Sequence, residues 1–261
     1  MNTSLDCSRE GRLLRIALNR PDKRNALSNA LCRQLLDAIH EAGTDDGVGA
    51  ILLEGRGSVF CAGMDLDEAT QPDAAEQTAI HEELFSMGSR VGKPVVAAVQ
   101  GAALGGGMGL VTNAHVVIAA QGTSFGLTEI RLGMWPFVVY RSAVLALGER
   151  RALELSLTGR VFGTTEAMQY GLVHQVVPAF ELDDRATDVA LALAHSSREA
   201  MSSGLAYVQQ SRNLSWDEAG KLARDLRARL FASADFAEGV RAFKEKRRPQ
   251  WPSLEGQNAA T

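Results

Sequence analysis

The sequence predicts an α/β protein whose parallel strands are largely buried. Short apolar runs alternate with helical segments over the first two thirds of the chain, and glycine-bearing turns follow two of these runs. No strand-like segment is found after residue 178. Alternating strands and helices are typical of parallel sheets that crossover helices cover on both faces. We therefore expect an α/β core followed by a helical region.

The first elements are indicated by apolar spacing and turn residues. LLRIAL (13–18) predicts a strand, because the turn residues 19–21 follow it. Ser28 can cap a helix in which Leu31, Leu35 and Ile39 form one apolar stripe toward Gly43. A strand, a turn and an amphipathic helix therefore open the chain.

The same alternation continues through the middle of the chain. AILLEG (50–55) and VVAAV (95–99) read as buried strands, with a polar helical segment over 73–90 between them. A glycine-rich turn then leads into the helical GLVTNA (109–114) and the strand-like HVVIAA (115–120). These segments complete the alternation on which the fold class rests.

The last third has helical composition throughout. We place a boundary between an α/β core, residues 1–190, and a helical region, residues 191–261, that closes a pocket or forms an oligomer interface. The expected helices span 182–196, 198–212, 216–231 and 235–246.

Composition excludes several classes of function. The 261 residues are 46% hydrophobic and carry 27 basic against 31 acidic side chains, a net charge of −4, which argues against a nucleic-acid partner. Three widely spaced cysteines suggest neither a disulfide framework nor a zinc site and fit the reducing cytoplasm. Five glycines and Gln100 interrupt the weakly polar stretch 94–111, so we expect no membrane segment.

Familiar phosphate and metal motifs are missing. The glycines of 105–109 do not fit G-x-G-x-x-G, and GSRVGKP (88–94) is one residue short of a P-loop. The five histidines are scattered and form no H-E-x-x-H motif, so we expect no metal.

Two glycine-bearing turns remain as candidate chemistry. GRGSVFCAGMDL (55–66) and GAALGGGMGL (101–110) each follow a buried apolar strand. Glycines at a strand-to-helix junction let a ligand approach the backbone and leave N–H groups pointing outward. Two such turns could supply converging donors to one oxygen. The alternative is that the glycines serve tight turns and close packing.

Five segments resemble one known family in both order and spacing. The chain is similar to the enoyl-CoA hydratase/isomerase, or crotonase, superfamily over nearly its whole length. The resemblance implies an α/β crotonase (ClpP-like) spiral of ββα units with C-terminal helices that build trimers or dimers of trimers. It also implies an acyl-CoA thioester as substrate and no cofactor. The segments are RPDKRNALS (20–28), GRGSVFCAGMDL (55–66), KPVVAAVQGAALGGGMGL (93–110), FGLTEIRLGMWP (125–136) and GLVHQVV (171–177).

The resemblance assigns an oxyanion hole. By position, the backbone N–H groups of Met64 and Gly106 would hold the thioester oxygen, where such donors act mainly in the transition state. Asp65 is expected to brace its own loop rather than react, since short Asp side chains commonly bond nearby backbone. The other residues expected around the acyl group are Ala26, Ala62, Leu66, Gly109, Trp135, Pro136 and Phe137.

The acid/base positions separate the family's reactions. Hydratases of the two-glutamate type carry a glutamate at the position of Gly109, while their second glutamate matches Glu129. Hydration uses both carboxylates, whereas moving a double bond from the 3 to the 2 position needs one base. The apolar LGMWPFVVYR after Glu129 is also similar to the isomerases. These features favour a 3-enoyl-CoA to 2-enoyl-CoA isomerase with Glu129 as base.

Three alternatives stay open at this point. One is a hydratase-like, hydrolytic or other lyase crotonase that recruits Glu82, Glu83 or Tyr140 to handle water. Another is a binding or assembly paralogue without chemistry, against which Glu129 argues. In the third, Glu129 is no more than a solvated charge.

Two further expectations concern the acyl pocket. Met134, Trp135 and Phe137 could desolvate Glu129 and raise its pKa, or they could simply fill the core. Gly109 would leave more room than a glutamate, which would admit bulky acyl groups.

Coenzyme A itself is expected to meet basic residues. Lys23 and Arg24 match the family's nucleotide-binding loop. RAFKEKRRP (241–249) has five basic residues and one acid and resembles the family's closing segment, with Phe243 and Lys246 as the residues to test. The alternative is a solvated helix face.

Overall fold

The computed structural model describes residues 4–68 and 74–255, apart from the side chains of residues 74–77. Nine strands occur in this part of the chain: β1 (Leu5–Glu10), β2 (Leu13–Leu18), β3 (Ala50–Gly55), β4 (Val95–Val99), β5 (Ala102–Leu104), β6 (Val116–Ala120), β7 (Ser124–Gly126), β8 (Phe162–Gly163) and β9 (Gln175–Val177).

Ten α-helices accompany the strands over the same residues. They are α1 (Asn29–Thr44), α2 (Ala74–Leu84), α3 (Gly106–Asn113), α4 (Phe137–Leu147), α5 (Glu149–Thr158), α6 (Thr164–Gln169), α7 (Leu182–Ala194), α8 (Arg198–Ser211), α9 (Trp216–Phe231) and α10 (Ala234–Glu245).

The main sheet has six strands in the order β1-β2-β3-β4-β6-β9. β1 pairs antiparallel with β2, and every other pair in this sheet is parallel. The smaller sheet has the order β5-β7-β8. The predicted strands at 13–18, 50–55 and 95–99 are confirmed, and the predicted α/β class with largely parallel strands is correct.

Both faces of the main sheet are covered. Along β4, Val95, Ala97 and Val99 lie in one apolar core, while Val96 and Ala98 lie in the other. This alternation follows from the two-residue repeat of a strand, and burial on both faces explains why VVAAV is apolar throughout.

Helix α1 covers the larger core. The Ser28 hydroxyl accepts a hydrogen bond from the Leu31 N–H at 3.3 Å and caps the helix, as the sequence predicts. Leu31, Leu35 and Ile39 are buried on one face. The helix ends at Thr44, one residue beyond the expected stop.

Helix α7 covers the smaller core on the opposite face. Leu182, Ala186, Ala190 and Ala194 pack there against residues of β2, β3, β4 and β6. This packing continues past residue 190. The predicted boundary between an α/β core, residues 1–190, and a helical region, residues 191–261, stays a prediction.

Helices α8, α9 and α10 follow α7 in the described part of the C-terminal region, and no strand occurs among its described residues, as predicted. Helix α9 spans the expected residues, and α9 contacts α8 and α10. Neither α8 nor α9 has a buried residue. The expected helix over 73–90 consists of α2 and a 3₁₀ turn, Met87–Ser89, and position 73 lies outside the described residues. No described helix is long and apolar enough to cross a membrane.

Candidate active site

The two glycine-bearing turns lie side by side at one edge of the smaller sheet. An isolated parallel bridge joins Cys61 of the first turn to Ala103 of β5. The second turn follows β5 directly, and its Gly105 N–H donates to the Gly126 carbonyl at 2.9 Å. A Cβ atom placed on Gly63 would lie 3.5 Å from the nitrogen of Gly106, so the turns touch.

In the first turn, the backbone N–H group of Met64 points away from the neighbouring residue Leu27. Leu27 bridges Met64 by donating to the Gly63 carbonyl at 2.8 Å and accepting from the Asp65 N–H at 3.0 Å. In such a parallel bridge the N–H of the central residue, Met64, points to the other side. Its N–H has no hydrogen-bond partner among the described residues.

The second turn offers a similar group. Gly106 is the first residue of α3, so its N–H has no partner within the helix. Gly105 before it has φ +52°, a backbone conformation that favours glycine. The helix N-terminus carries a partial positive charge that stabilises an anion. The predicted pair of donors, Met64 and Gly106, therefore lies on adjacent turns.

Glu129 reaches the same edge because β5 and β7 run parallel. Leu104 pairs with Gly126, so the second turn follows one strand and Glu129 follows the other. Glu129 opens a 3₁₀ turn, Glu129–Leu132. A Cβ placed on Gly105 would lie 3.5 Å from Oε1 of Glu129. The structure thus brings together the three residues predicted to be catalytic.

Burial determines the electrostatics of this carboxyl group. Glu129 is 7% exposed, and its Oε2 atom has no hydrogen-bond partner in the described structure. Burial raises the pKa of Glu129 above its ordinary value, opposed by a hydrogen bond from its own backbone. A raised pKa makes the carboxylate a stronger base.

The expectation that Met134, Trp135 and Phe137 desolvate Glu129 stays a prediction, but the alternative that these residues fill the core is wrong for Met134 and Phe137. Met134 is 41% exposed and Phe137 is 78% exposed. Pro136 is buried, and the half-buried Trp135 packs at a tilt against Tyr140 with ring centroids 5.8 Å apart. The second glycine turn lies beside the carboxyl group at Gly105.

Asp65 is held within its own loop. Its Oδ2 pairs with the Arg20 guanidinium at 2.8 Å, and its Oδ1 accepts from the Asp67 N–H at 3.1 Å. These contacts tie the first glycine turn to the loop before α1. Contacts of Asp65, of the exposed Leu66 and of the half-buried Ala62 with a substrate stay predictions.

The space beside Gly109 is occupied, which corrects the expectation of extra room. A Cβ placed on Gly109 would lie 2.7 Å from Cδ1 of Phe85 and 2.9 Å from Cγ2 of Val139. Real Cβ atoms do not approach other atoms this closely. The aromatic ring therefore fills the volume that a larger residue at 109 would need.

Sequence reasoning missed Phe85 and its neighbour His81. Phe85 is 5% exposed, and the His81 ring stacks on it at 5.8 Å. The His81 Nε2 atom is buried without a partner in the described residues, and burial lowers the pKa of His81. Their spacing of four residues was the available signal, but the polar segment around them hid it.

Glu82, Glu83 and Tyr140, the residues expected to handle water in the alternative function, have three different environments. Glu83 pairs with His40 at 3.1 Å toward α1, and Glu82 is exposed. Tyr140 packs against the larger core.

The basic residues expected near coenzyme A are at the surface. Lys23 donates to Asp67 at 3.0 Å, and Arg24 adopts a left-handed backbone conformation with φ +51°. Half-buried Ala26 follows in the same loop. The Arg24 carbonyl accepts from the Ala62 N–H at 3.0 Å, which places this loop against the first glycine turn.

The C-terminal basic run is partly neutralised. Arg241 and Arg247 both pair with Glu238, whose carboxylate also accepts from the Gln250 N–H at 2.8 Å. Phe243 is 85% exposed, and Lys246 is exposed at the end of α10 with φ +54°. Phe243 borders an apolar groove of about 710 Å³ between α8, α9 and α10.

Comparison with known proteins agrees with this architecture. A family profile described as "Enoyl-CoA hydratase/isomerase" matches residues 8–254 of the chain. The chain belongs to the enoyl-CoA hydratase/isomerase family. The family resemblance predicted from the five segments is confirmed.

Relatives within this family carry hydratase names. The chain is 34% identical to 2,3-dehydroadipyl-CoA hydratase of Escherichia coli, covering 95% of this chain and 98% of that protein. It is 33% identical to mevalonyl-coenzyme A hydratase of Aspergillus fumigatus, covering 92% and 91%. These names do not support the isomerase prediction.

Solved structures in the family share the fold. A crystal structure of enoyl-CoA hydratase from Mycobacterium smegmatis matches with a TM-score of 0.90 at 29% identity, covering 96% of this chain and 99% of that one. The enoyl-CoA hydratase structure from Bacillus anthracis also has a TM-score of 0.90 at 29% identity, covering 96% and 100%. The predicted crotonase fold is confirmed.

Proposed function

We propose that this acyl-CoA enzyme converts 3-enoyl-CoA to 2-enoyl-CoA with Glu129 as its one base. The proposal rests on one observation: Glu129 lies beside the glycine turns, while Phe85 and Val139 occupy the space where a side chain at position 109 would begin, so no second carboxylate stands there. Moving a double bond needs one proton carrier.

The proposed reaction keeps every proton on one carboxyl group. Glu129 takes a proton from the carbon next to the thioester carbonyl, and the electron pair of that C–H bond passes to the carbonyl oxygen. The dienolate then collapses as protonated Glu129 returns the proton to the γ carbon. The double bond moves from position 3 to position 2, and the enzyme returns to its starting state.

The negative charge of the dienolate is the main electrostatic problem. The N–H groups of Met64 and Gly106, the latter at the N-terminus of α3, would donate to the thioester oxygen as this charge develops. Fixed donors of this kind contribute about 10² to 10³ in rate each. The buried position of Glu129 favours its neutral, proton-carrying form and so stabilises the intermediate state in which this carboxyl group holds the proton.

An assay with two substrates tests this proposal. Purified protein is offered a 3-enoyl-CoA and, separately, a 2-enoyl-CoA in water, and the products are identified by mass and chromatography. We expect the double bond of the 3-enoyl substrate to move to position 2 without a change in the mass of the molecule. Hydration of the 2-enoyl substrate, which adds one water, without isomerisation of the 3-enoyl substrate would refute the isomerase. Absence of any turnover would favour a binding paralogue.

A hydratase is the second candidate function, because the similar relatives carry hydratase names. Hydration needs a group that holds and deprotonates water while another donates to the α carbon. Glu129 could serve as one of them. The second group would have to come from a residue other than Gly109.

The proposal includes assembly and location. We propose a trimer or a dimer of trimers, supported by the exposed aromatic side chains of the C-terminal helices, and Lys23, Arg24, Phe243 and Lys246 as coenzyme A contacts. We also propose a cytoplasmic location, supported by the free cysteines Cys7, Cys32 and Cys61. Cell fractionation tests the location.

A further inference from the structure

Phe85 and Gly109 fit each other as a large and a small residue. The ring of Phe85 takes the space of a side chain at 109, with Cδ1 and Cε1 only 2.7 and 2.8 Å from where a Cβ would lie. Any residue larger than glycine would displace the ring, and any residue smaller than phenylalanine would leave a cavity.

The same ring reaches the proposed oxyanion hole. Its Cζ atom lies 3.2 Å from the position of a Cβ on Gly106, whose N–H is one of the two donors. Glu129 lies next to Gly105, the neighbouring residue of the same turn. Phe85 therefore forms an apolar wall beside the donor end of the site.

Asn113 holds the two members of the pair together. Its Nδ2 donates to the Phe85 carbonyl at 2.7 Å and to the Gly109 carbonyl at 2.9 Å. Its Oδ1 accepts from the Gly88 N–H at 3.2 Å, and the residue is 6% exposed. A buried amide with these bonds fixes the backbone on both sides of the contact. The His81 ring packs on Phe85 as well.

We propose that the Phe85–Gly109 pair determines the reaction outcome by keeping water away from the enoyl group, and that Asn113 positions Phe85 for this task. The proposal rests on the isomerase function given above. An apolar ring offers no hydrogen bond to a water molecule, which needs two to four polar partners in a buried site. The bound 2-enoyl product therefore leaves without being hydrated.

Hydration needs a specific change of bonds. In Phe85→Ala the water oxygen bonds to the β carbon while Glu129 takes one water proton, and Glu129 then passes that proton to the α carbon of the resulting enolate, so one carboxylate carries out both transfers, more slowly than two would. Removing Phe85 opens the space for the water. A carboxylate at position 109 would then hold and deprotonate that water, while Glu129 protonates the α carbon.

The test compares product partition, hydrated against isomerised, in matched variants. Phe85→Ala is expected to form hydrated product that the wild type does not form. Phe85→Leu, which keeps an apolar side chain, is expected to stay near the wild-type partition. Phe162→Ala is the matched control, since Phe162 is 3% exposed in β8 and packs on Phe125 and Tyr170. It is expected to lose stability without a change in partition.

The double variant Phe85→Ala with Gly109→Glu tests directly whether the residues at positions 85 and 109 must fit each other in size. Gly109→Glu alone is expected not to hydrate, because Phe85 and Val139 occupy its space. Phe85→Ala with Gly109→Glu is expected to hydrate at least about tenfold faster than Phe85→Ala, because a placed acid/base group contributes about 10² to 10⁴. Hydration by Gly109→Glu with Phe85 intact, or no gain in the double variant, would overturn the pairing.

Asn113→Asp tests the positioning role with the Phe85 ring still present. It removes both Nδ2 donors, and we expect hydrated product to appear as in Phe85→Ala. A fall in stability with unchanged partition would show a purely structural role and overturn the assignment. Thermal unfolding of each variant accompanies the assay, and Phe85→Leu and Asn113→Asp keep the test decisive if Phe85→Ala does not fold.

The failure of this inference is distinct from the failure of the proposed function. A wild type that hydrates and does not isomerise refutes the isomerase and the inference that rests on it. A wild type that isomerises, with Phe85→Ala and Asn113→Asp at the wild-type partition, refutes the role of Phe85 and leaves the isomerase intact.

Discussion

Asp65 and Glu129 both carry buried carboxyl groups, but the two groups differ in their hydrogen-bond and ion-pair partners, which indicates different roles. Asp65 is paired with Arg20 and bonded to the Asp67 N–H, so its charge is used in holding a loop. Glu129 keeps one oxygen without a partner. A buried polar atom left unpaired costs free energy, and such groups often mark functional sites.

The pH dependence of activity should report Glu129. The base must be deprotonated, so kcat/KM for a 3-enoyl-CoA is expected to rise as pH increases through the Glu129 pKa. Burial raises this pKa, which puts the midpoint above the ordinary glutamate value of about 4.3. The profile is measured with circular dichroism at each pH as the control for folding. A midpoint at or below about 4.3 would contradict the account.

The donor at Gly106 can be tested by removing its N–H group. Gly106→Pro deletes the donor at the first position of α3, where proline suits a helix. We expect kcat to fall by about 10² to 10³. Gly106→Ala adds a Cβ but keeps the N–H, so it controls for the contact with Leu27 and Phe85. Equal rates in the two variants would argue against an oxyanion hole here.

The sequence indicated the residues proposed to be catalytic but not Phe85 beside them. Met64, Gly106 and Glu129 lie in motifs that resemble a family, and the parallel pairing of β5 with β7 brings them together. Phe85 reaches Gly109 only through tertiary packing, across 24 residues of chain, and no local pattern specifies that contact. Local sequence also did not specify how far the neighbours of Glu129 are buried: Met134 and Phe137 were expected to desolvate it, and both are exposed.

Among the elements, the long buried strands and the amphipathic and C-terminal helices were predictable, whereas the short or polar strands and the helices α4, α5 and α6 were not predicted. β1, LDCSRE, is mostly exposed and lacks apolar alternation, and its strand form follows from pairing with β2. Gly11 turns the chain between them with φ +55°. β5 and β7 are three residues each. Their pairing is non-local, and yet they position the site.

Helix α10 and the segment after it depend on Glu238. Its carboxylate accepts from Arg247 Nη1 at 2.6 Å and from the Gln250 N–H at 2.8 Å, and the Arg247 hydrogen bond is the main cause of its lowered pKa. We expect Glu238→Gln to lower Tm by several degrees at pH 7. Glu245→Gln, at an exposed partner of Arg247, is the control and is expected to change Tm little.

The sign of the pH effect follows from the lowered pKa. A depressed carboxyl pKa stabilises the fold at neutral pH, and this contribution is lost as pH falls below the unfolded value of about 4.3. The Tm difference between wild type and Glu238→Gln should therefore shrink in acid. A difference that stays constant from pH 7 to pH 3 would contradict this role.

For the whole molecule, the exposed aromatic side chains favour self-association. Trp216 is 94% exposed and Phe243 is 85% exposed, both on the C-terminal helices. Light scattering is expected to give three or six times the 28.0 kDa of one chain. Phe243→Asp should reduce this mass. Phe180→Asp is the control, since Phe180 is 83% exposed outside those helices. A monomeric wild type would contradict the assembly.

In the proposed reaction Glu129 alone carries the proton. The most direct measurement compares wild type and Glu129→Gln for kcat/KM on a 3-enoyl-CoA, with the Kd for acyl-CoA determined on the same preparations. We expect a fall of about 10² to 10⁴ in kcat/KM with the Kd nearly unchanged. Unchanged turnover in Glu129→Gln would contradict it and move the base elsewhere in the site.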